Sequence, residues 1–546
     1  MRSSPTRWSF LLLALSLPLS ACNSNSSQSV VDTTAHEVAE PVDTAADNAQ
    51  RASDSNDVVA PISSTNLETS ESEATPIARQ PLVEELKLFD GWGKPLVALL
   101  VTGQQKGYIE PCGCAGLANQ KGGLARRHTL VRELKERSWP VVALDAGNQV
   151  RRFGRQAELK FQITVEGLKT IGYDAIAFGE NDLSLSVGEV AAATMAVDDR
   201  GTPFLCANAA VLDRDLTPRF RVVEAGGKRI GITSVLGSAE MQKVSSSEIL
   251  LQPVADALNE VVPQLKEAKC DLYVLLAHAS LDESRALAQQ FPAFNVVVTS
   301  GGLGDPTYEP ERIEGTKAIL VHVGVKGMFA GVIGVFDDAD TPLRYQRVPL
   351  DATYADSPEM LGLLKSYQDQ LKVTGLDGLG VNAVPHATGN KFVGSQACAD
   401  CHSTAFDIWK DTPHAQATET LVHPGERSHI ERHFDPECLS CHVTGWSPQG
   451  FFPYQSGYLG LERTPALVGN GCENCHGPGS AHVAAELGEV EASDERLTML
   501  REAMRLPLSK AEDQCRLCHD LDNDPEFQKE GAFDKYWPKV EHKGLD

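Results

Sequence analysis

From about Pro95 to Leu350, short continuous apolar runs alternate with segments in which apolar residues recur every three or four positions. The runs predict buried strands, and the periodic segments predict amphipathic helices. The predicted strands are Leu96–Thr102, Val141–Asp145, Ala175–Phe178, Arg229–Val235, Asp271–Ala277, Asn295–Thr299, Ala318–Val323 and Gly331–Phe336. The predicted helices are Leu124–Arg137, Ala157–Ile171, Val254–Ala268 and Leu281–Gln290. This alternation predicts an α/β fold in which both sheet faces are covered.

The pattern changes after about Val384, where long apolar runs disappear and Gly, Pro, Cys and His become frequent. Before this change, residues 351–385 form a linker in which Ser357–Val373 is predicted to be helical. Eleven of the 15 histidines lie from His386 onward. Residues 386–546 have too few apolar side chains for a conventional core, so another group is expected to fill their interior.

Four C-x-x-C-H motifs lie in this last part, and this spacing is typical of covalent c-type haem attachment. Two Cys three positions apart are expected on one face of a helical turn, where they can reach both vinyl groups of one porphyrin, and the adjacent His can then bind the iron. Composition alone would produce on the order of 0.01 such motifs. The sequence therefore predicts four haems, which would also supply the missing core. The motif residues are Cys398, Cys401 and His402; Cys438, Cys441 and His442; Cys472, Cys475 and His476; and Cys515, Cys518 and His519.

Two other uses of these cysteines compete with haem attachment, namely structural zinc sites and redox-active thiol pairs. Eight Cys suffice for two four-Cys zinc sites, but that interpretation leaves the four adjacent His unexplained. A thioredoxin-like pair requires a βαβ setting, which the pattern here does not predict.

The second axial ligand of each iron is expected to be His rather than Met, which favours a lower reduction potential. Each spare His has the alternative of being an ordinary surface residue. The candidates are His386, His414, His423, His429, His433, His482 and His542, with Met499 and Met504 as rivals.

The segment from about Val393 to His542 resembles the tetrahaem cytochrome c-554 family. The resemblance is carried by Phe392–Ser395, Trp409 with His414, Phe434–Glu437, Cys472–Ser480 with His482, and Trp537 with His542. It implies a mostly helical, loop-rich domain of closely packed haems that carries electrons between periplasmic partners. It also implies that His414, His482 and His542 are distal ligands. The fourth stays open between His433, His429, His423, His386 and a five-coordinate, high-spin iron.

Residues from about Leu96 to Phe336 resemble the calcineurin-like phosphoesterase superfamily, especially its 5′-nucleotidase branch. The resemblance is carried by Thr102–Arg127, Leu144–Asn148, Phe178–Leu183, Leu275–Ser280 and Val298–Gly304. It implies an αββα sandwich of two sheets. Enzymes of this superfamily use two divalent metals held by Asp, His and Asn.

Most of the implied metal ligands are replaced in this sequence. His278 is retained, and Asp145 matches only a non-bridging position. Amide, ammonium and glycine cannot replace anionic or imidazole ligands for such a metal. The resemblance therefore implies that the fold is kept without the hydrolytic chemistry. The replaced positions are Gln104, Lys106, Asn148, Glu180, Asn181, Gly302 and Gly304.

Cys112 and Cys114 lie in a Gly-rich loop just before a predicted helix start near Gly123. A helix N-terminus stabilises a thiolate, so one hypothesis is a redox-active or metal-binding dithiol that exchanges electrons with the haems. The alternative is a structural loop containing two small residues.

The first 22 residues are predicted to be a signal peptide, because Arg2 and Arg7 precede a short apolar run, Phe10–Leu17. The segment Leu19–Cys22 resembles a bacterial lipobox, which implies cleavage before Cys22 and lipidation of its thiol. Residues 23–90 are acidic and poor in large apolar side chains, which predicts a disordered tether.

The net charge of −25 disfavours nucleic-acid binding and favours basic partners. We interpret the chain as an exported lipoprotein of the bacterial envelope. A phosphoesterase-like domain (91–350) and a tetrahaem domain (386–546) would together serve electron transfer with envelope redox proteins. The alternatives are an oxidoreductase acting at an open haem or at Cys112 and Cys114, a residual metal-dependent hydrolase, and a sandwich acting as a ligand sensor or scaffold.

Overall fold

The computed structural model describes residues 88–112, 120–195, 201–425 and 428–543. The predicted signal peptide, Cys22 and nearly all of the tether lie outside these ranges. In the α/β part the strands are β1 (Val97–Thr102), β2 (Pro111–Cys112), β3 (Lys121–Gly122), β4 (Val141–Asp145), β5 (Tyr173–Ile176), β6 (Ala209–Val211), β7 (Phe220–Ala225), β8 (Lys228–Leu236), β9 (Ile249–Leu251), β10 (Leu272–His278), β11 (Val296–Thr299), β12 (Glu311–Arg312), β13 (Ile319–His322), β14 (Phe329–Val335) and β15 (Leu343–Pro349). The helices are α1 (Leu124–Glu136), α2 (Arg155–Ile171), α3 (Val187–Thr194), α4 (Ser238–Met241), α5 (Val254–Glu267), α6 (Leu281–Gln290) and α7 (Pro358–Gly378).

Two mixed sheets form the α/β part. The first has the strand order β15-β14-β1-β4-β5, in which β1, β4 and β5 are parallel and β14 and β15 are antiparallel. The second has the order β12-β13-β11-β10-β8-β7, with parallel central strands and antiparallel strands at both edges. Parallel central strands need crossovers, and the helices between them provide these.

The two sheets pack face to face around one apolar layer. Leu99 and Val101 of the first sheet share this layer with Ile232 and Val274 of the second. Helices α1, α2 and α7 cover the outer face of the first sheet, and α5 and α6 cover that of the second. Each fully buried aliphatic side chain contributes about 2 kcal/mol by removal from water. The predicted αββα sandwich is confirmed.

Two edge strands were absent from the sequence prediction. Strands β7 and β15 carry Arg, Glu and Gln on half-exposed faces, so neither forms a continuous apolar run. Strand β5 also begins and ends two residues earlier than predicted. Ala177 and Phe178 follow its end, although both are buried. A continuous apolar run indicates a strand that is buried on both faces. A strand at a sheet edge pairs through its backbone groups and needs no such run.

Helix α7 joins the two parts of the chain. The Ser357 hydroxyl accepts a hydrogen bond from the Met360 N–H at 3.4 Å, and Pro358 occupies the first turn, where its missing N–H costs nothing. The helix is interrupted at Gly375, whose φ of 63° is readily adopted by glycine. It packs against α1 and α2, so the linker is part of the folded body.

Short helices and loops make up the C-terminal part. Its small apolar cluster contains six buried residues: Leu421, Leu439, Val443, Trp446, Tyr458 and Leu467. Of the helices in the described part of the chain, none combines the length and the apolar character needed to cross a bilayer. The elements are α8 (Gln396–Ala399), α9 (Ser403–Lys410), α10 (Glu419–Val422), α11 (Pro436–His442), β16 (Trp446–Ser447), β17 (Phe452–Pro453), α12 (Cys472–His476), α13 (Ser480–Glu486), α14 (Asp494–Ala503), α15 (Leu508–Arg516) and α16 (Ala532–Tyr536).

Charged side chains join the sandwich to the C-terminal part. Lys160 Nζ on α2 donates to Glu437 Oε2 at 2.6 Å, and Arg152 lies 2.9 Å from the other oxygen. Burial raises the pKa of Glu437, but Lys160 and Arg152 outweigh it and hold that pKa below its usual value. Gln156 donates to the buried Asp435 carboxylate at 2.6 Å. These contacts meet the start of α11, close to Cys438.

Two further contacts extend this junction. Glu110 accepts a fork of hydrogen bonds from Arg432, one of them 2.8 Å long. Asp522 lies 3.1 Å from Lys326 Nζ and also pairs with Arg151. The two parts are therefore tied near both the second and the fourth C-x-x-C-H motifs.

Replacing Lys160 by Met is expected to destabilise the folded protein by about 3 kcal/mol, because Glu437 would stay buried beside Asp435 without its lysine. Denaturant unfolding followed by circular dichroism measures this change. The matched control is Lys365→Met, which removes an exposed ion pair with Asp369 and is expected to cost at most about 0.5 kcal/mol. Equal losses in the two variants would contradict a structural role for the buried pair.

Candidate functional site

The four C-x-x-C-H motifs lie on or directly beside short helices. Helix α11 begins with Pro436 after Asp435, whose carboxylate accepts the Glu437 N–H at 2.9 Å. Helix α12 begins after the extended residue Gly471. A single helical turn places cysteines three positions apart on one face. The second and third motifs therefore have the local geometry that their spacing predicts.

In the first motif the helix ends before the second cysteine, but the His402 N–H donates to Cys398 O at 2.9 Å, so both cysteines lie on one helical turn. Helix α8 ends at Ala399, so Cys398 lies on the helix and Cys401 lies in the turn that follows it. The Cys401 N–H still donates to Cys398 O, at 3.3 Å, and Cys401 is exposed whereas Cys398 is half-buried. This hydrogen bond keeps the spacing of the two thiols in the turn that follows the short helix.

Cys518 and Cys475 each resemble Cys401 in one respect. Cys518 follows the end of α15 at Arg516, and Cys475 lies on α12 but is exposed. The N–H of Cys518 donates to Cys515 O at 3.2 Å, as in the first motif. The spacing of the cysteines is thus common to all four motifs, whereas their burial and helix membership are not.

Three motif histidines face a second histidine that is distant in sequence. The ring centroids of His402 and His482 are 6.3 Å apart, and those of His414 and His519 are 6.1 Å apart. The rings of His476 and His542 are separated by 5.7 Å. Each pair therefore joins one motif histidine to one histidine that the family resemblance implied as a distal ligand.

These separations fit a metal held between two imidazoles. Metal–nitrogen bonds of about 2 Å on either side of an iron place the two ring centroids about 6 Å apart. Aromatic rings in direct contact also have centroids about 4.5–7 Å apart, so the identity of the paired histidines, and not the distance alone, favours a shared metal. The donor set of paired imidazoles beside two thiols fits a covalently attached haem.

Backbone and carboxylate acceptors orient several of these histidines through Nδ1. A ring that donates Nδ1–H keeps its Nε2 lone pair free for a metal, which fixes the required tautomer. The contacts are His442 to Ala417 O at 2.8 Å, His476 to Met504 O at 2.7 Å, His519 to Asp524 Oδ2 at 2.8 Å, and His542 to Val540 O at 2.8 Å.

The motif cysteines lie close to one another across motifs. The Cys398 and Cys472 thiols are within hydrogen-bonding reach, and so are those of Cys441 and Cys518. The eight thiols form no disulfides with one another and are free for thioether bonds. The first motif therefore adjoins the third, and the second adjoins the fourth.

The four candidates for the remaining axial position lie in different settings. His386 packs edge-on against Phe392 and Tyr454. His423 is exposed and pairs with Glu419 at 2.7 Å, and His429 is also exposed. His433 lies against the Phe434 ring, with centroids 3.8 Å apart. The choice between these histidines and a five-coordinate iron stays open.

A second polar site lies at the ends of β1, β4 and β10 in the sandwich. The Asn148 amide donates to Glu180 Oε2 at 3.1 Å and to Gln104 Oε1 at 3.4 Å. The Gln104 amide donates to Ser300 O at 3.2 Å. His278 joins the same group through Glu180. The fold thus gathers four positions that the superfamily resemblance implied, and their side chains bond to one another.

His278 has both ring nitrogens engaged by acceptors. Nδ1 lies 2.7 Å from Ala146 O, and Nε2 lies 2.6 Å from Glu180 Oε2. Burial lowers the pKa of His278, but Glu180 outweighs it and raises that pKa above its usual value. Burial raises the pKa of Glu180, but the contact with His278 outweighs this and brings it to about 2. An imidazolium–carboxylate pair therefore fills this part of the cleft.

Backbone conformation at this cleft is unusual. Gln104, Lys106 and Asn148 have φ of 52°, 53° and 62°, the left-handed region that non-glycine residues rarely adopt. The buried Asp182 carboxylate accepts N–H groups from the Asn148 and Gly179 loops. Sequence reasoning missed Asp182, although it lies directly after the Glu180–Asn181 pair.

The remaining predicted positions contribute less to this cleft. Gly302 and Gly304 lie in the loop after β11, and a side chain at Gly302 would approach the His322 ring at 3.0 Å. Among the described residues, no group of three or more His, Cys, Asp or Glu is arranged to hold a metal ion. Cys114 and the side chain of Cys112 lie outside the described residues, so the dithiol hypothesis stays a prediction.

Known proteins match the two parts of the chain separately. Residues 397–477 match the family model for cytochrome c554 and c-prime. Cytochrome c-554 of Nitrosomonas europaea is 28% identical over 169 residues, which are 28% of this chain and 68% of that protein.

The α/β part matches a different group. An apyrase of Tabanus yao is 24% identical over 285 residues, 47% of this chain and 50% of the apyrase, so the chain spans half the length of that relative. The 5′-nucleotidase precursor of Thermus thermophilus has a TM-score of 0.43 and 18% identity, covering 60% of this chain and 66% of that protein. This chain joins a part similar to cytochrome c-554 to a part similar to 5′-nucleotidases and apyrases.

Proposed function

We propose that the protein is a tetrahaem c-type cytochrome that carries electrons at the bacterial cell envelope. The observation that carries the proposal is the set of three histidine pairs with ring centroids 5.7–6.3 Å apart. Each pair unites a motif histidine with a remote one, as bis-imidazole ligation requires. Bis-His ligation favours a lower potential than His–Met ligation and blocks direct substrate binding.

The haems supply one-electron redox chemistry, and the protein controls their position and surroundings. The eight motif thiols would attach the rings, and His402, His476 and His519 would bind iron opposite His482, His542 and His414. His442 would bind the fourth iron, with His433 among the candidates opposite it. Asp524, which accepts a hydrogen bond from His519 Nδ1, would hold the tautomer whose Nε2 lone pair is available to iron.

Export to the envelope fits the same assignment, since the resemblance to the cytochrome c-554 family implies electron transfer between periplasmic partners. The lipobox-like Leu19–Cys22 supports a lipid anchor at Cys22, and the acidic segment that follows would act as a tether. The net charge of −25 supports basic redox partners.

The sandwich is proposed to have lost phosphoester hydrolysis. Hydrolases of this kind activate water with metal ions bound by lone pairs on His and carboxylate ligands. Here both ring nitrogens of His278 are engaged, one by a backbone carbonyl and the other by Glu180. Glu180 is in turn bonded to Asn148, so these groups satisfy one another.

The protein matured in a host that assembles c-type cytochromes is expected to carry four haems. Intact mass and the pyridine haemochrome spectrum measure this number. Cys515→Ala combined with Cys518→Ala is expected to lower it by one, because both thioether bonds of one ring are lost. Cys270→Ala, which alters a cysteine outside the motifs, is the control and should retain four. Fewer than four haems in the unaltered protein would contradict the motif count.

His482→Ala is expected to create one additional carbon monoxide-binding haem per chain, because it opens the position opposite His402. Absorbance spectra of the reduced protein with and without carbon monoxide measure this change. His322→Ala removes a histidine on β13 of the sandwich, which is not a ligand candidate, and should leave the spectrum unchanged. An unchanged spectrum for His482→Ala would refute its role as a ligand.

No manganese-dependent release of phosphate from nucleoside 5′-monophosphates is expected, because His278 has no free nitrogen lone pair for a metal. Colorimetric phosphate assays with and without Mn²⁺ provide the measurement, with a commercial 5′-nucleotidase as the positive control. Turnover that requires Mn²⁺ and is lost in His278→Ala would restore the hydrolase alternative.

A further inference from the structure

Helices α13 and α14 and the loop between them form a surface that we call the acidic hairpin, residues 480–503. The hairpin is held in place from within the C-terminal part. The Ser480 hydroxyl accepts the Lys391 N–H at 2.8 Å, and the buried Glu473 accepts the Gly479 N–H at 2.8 Å. Its position relative to the motif helices is therefore fixed.

Both ends of the hairpin reach proposed haem ligands. His482 on α13 has its ring 6.3 Å from that of His402. Met504, which ends α14, accepts a hydrogen bond from His476 Nδ1 through its carbonyl at 2.7 Å. The first and third motifs thus both lie against this hairpin.

The hairpin carries three exposed large apolar residues, which we call its apolar centre. Leu487, Val490 and Met499 are 62%, 58% and 62% exposed. Exposed large apolar side chains are common singly, but a group of three within one hairpin is typical of an interaction surface. Met is also enriched at protein interfaces.

Acidic residues lie between and beside these three residues in the sequence. The hairpin carries six carboxylates and two arginines, a net charge of −4. Arg501 pairs with Glu486, and Glu502 pairs with Arg505 just beyond the hairpin. Within the described part of the chain, the other carboxylates form no ion pairs. These are Glu489, Glu491, Asp494 and Glu495, all exposed.

We propose that the acidic hairpin is the docking surface for a small, basic electron-transfer protein whose redox centre is surrounded by lysines. The inference rests on the proposed electron-carrier function. An apolar centre with a charged rim is the usual arrangement of protein interfaces. Opposite charge accelerates encounter, and a small contact permits rapid release after transfer. The repulsion between two such acidic surfaces disfavours a second copy of this chain as the occupant.

The test measures binding of the reduced, haem-loaded protein to a lysine-rich mitochondrial cytochrome c by calorimetry at low and high ionic strength. Glu489→Lys combined with Glu491→Lys is expected to weaken binding at low salt at least tenfold. Glu309→Lys combined with Glu314→Lys makes the same change in net charge on the exposed surface of the sandwich and should stay within twofold of the unaltered protein. Equal weakening in both variants would overturn the proposal in favour of general charge attraction.

The apolar centre is tested separately with Leu487→Ser combined with Met499→Ser. This variant is expected to weaken binding at both salt concentrations, because salt screens charges but not apolar contact. Unchanged binding at high salt would overturn the role of the apolar centre.

The haem content and redox titration of every variant distinguish a failure of the proposed function from a failure of the docking surface. A haem-free protein would refute the proposed function itself. Haem-loaded, reducible variants that bind the probe as tightly as the unaltered protein would refute only the docking surface.

Discussion

The C-terminal part depends on pairs of imidazole rings held about 6 Å apart. Its apolar cluster of six residues is small for a segment of this length. The histidine pairs join segments that are far apart in sequence, such as His414 with His519 and His476 with His542. Each pair joins a motif histidine to a remote histidine, which is the arrangement expected when one metal lies between them. The proposed haems would then act as both the redox centres and the core, which explains how a glycine-rich segment of short helices holds its shape.

The junction between the two parts follows a second constraint, the cost of burying charge. Lys160 and Glu437 are both largely removed from water, and each is acceptable there only because the other is present. Buried ion pairs of this kind select one arrangement more than they add stability. Together with the Arg432–Glu110 and Lys326–Asp522 contacts, they define how the sandwich meets the second and fourth motifs. The sandwich therefore supports the attachment sites directly, whatever else it does.

The cleft of the sandwich is filled by polar side chains that bond to one another. The loops keep left-handed residues at Gln104, Lys106 and Asn148, and Asp182 still holds the loop backbones together. Most positions that the superfamily resemblance implied as metal ligands carry other residue types, and Glu180 and His278 form an ion pair. A closed network of hydrogen bonds removes the electrostatic need for a metal, since each buried polar group already has a partner.

The sequence pattern alone predicted an α/β fold with covered sheet faces, because buried strands are continuous apolar runs and covering helices have a clear period. The resemblance to the phosphoesterase superfamily implied the two-sheet αββα arrangement. The pattern missed β7 and β15, since edge strands are half-exposed and pair through backbone groups that no side-chain pattern reports. It identified the motif cysteines and histidines, because covalent attachment demands a fixed local spacing. Only the tertiary structure brought His482 to His402, Lys160 to Glu437 and His278 to Glu180, because these contacts depend on how distant segments pack. The spacing of residues along the chain predicts the chemistry of a local motif. The partner of a distal ligand or of a buried charge depends on how distant segments pack in the folded chain.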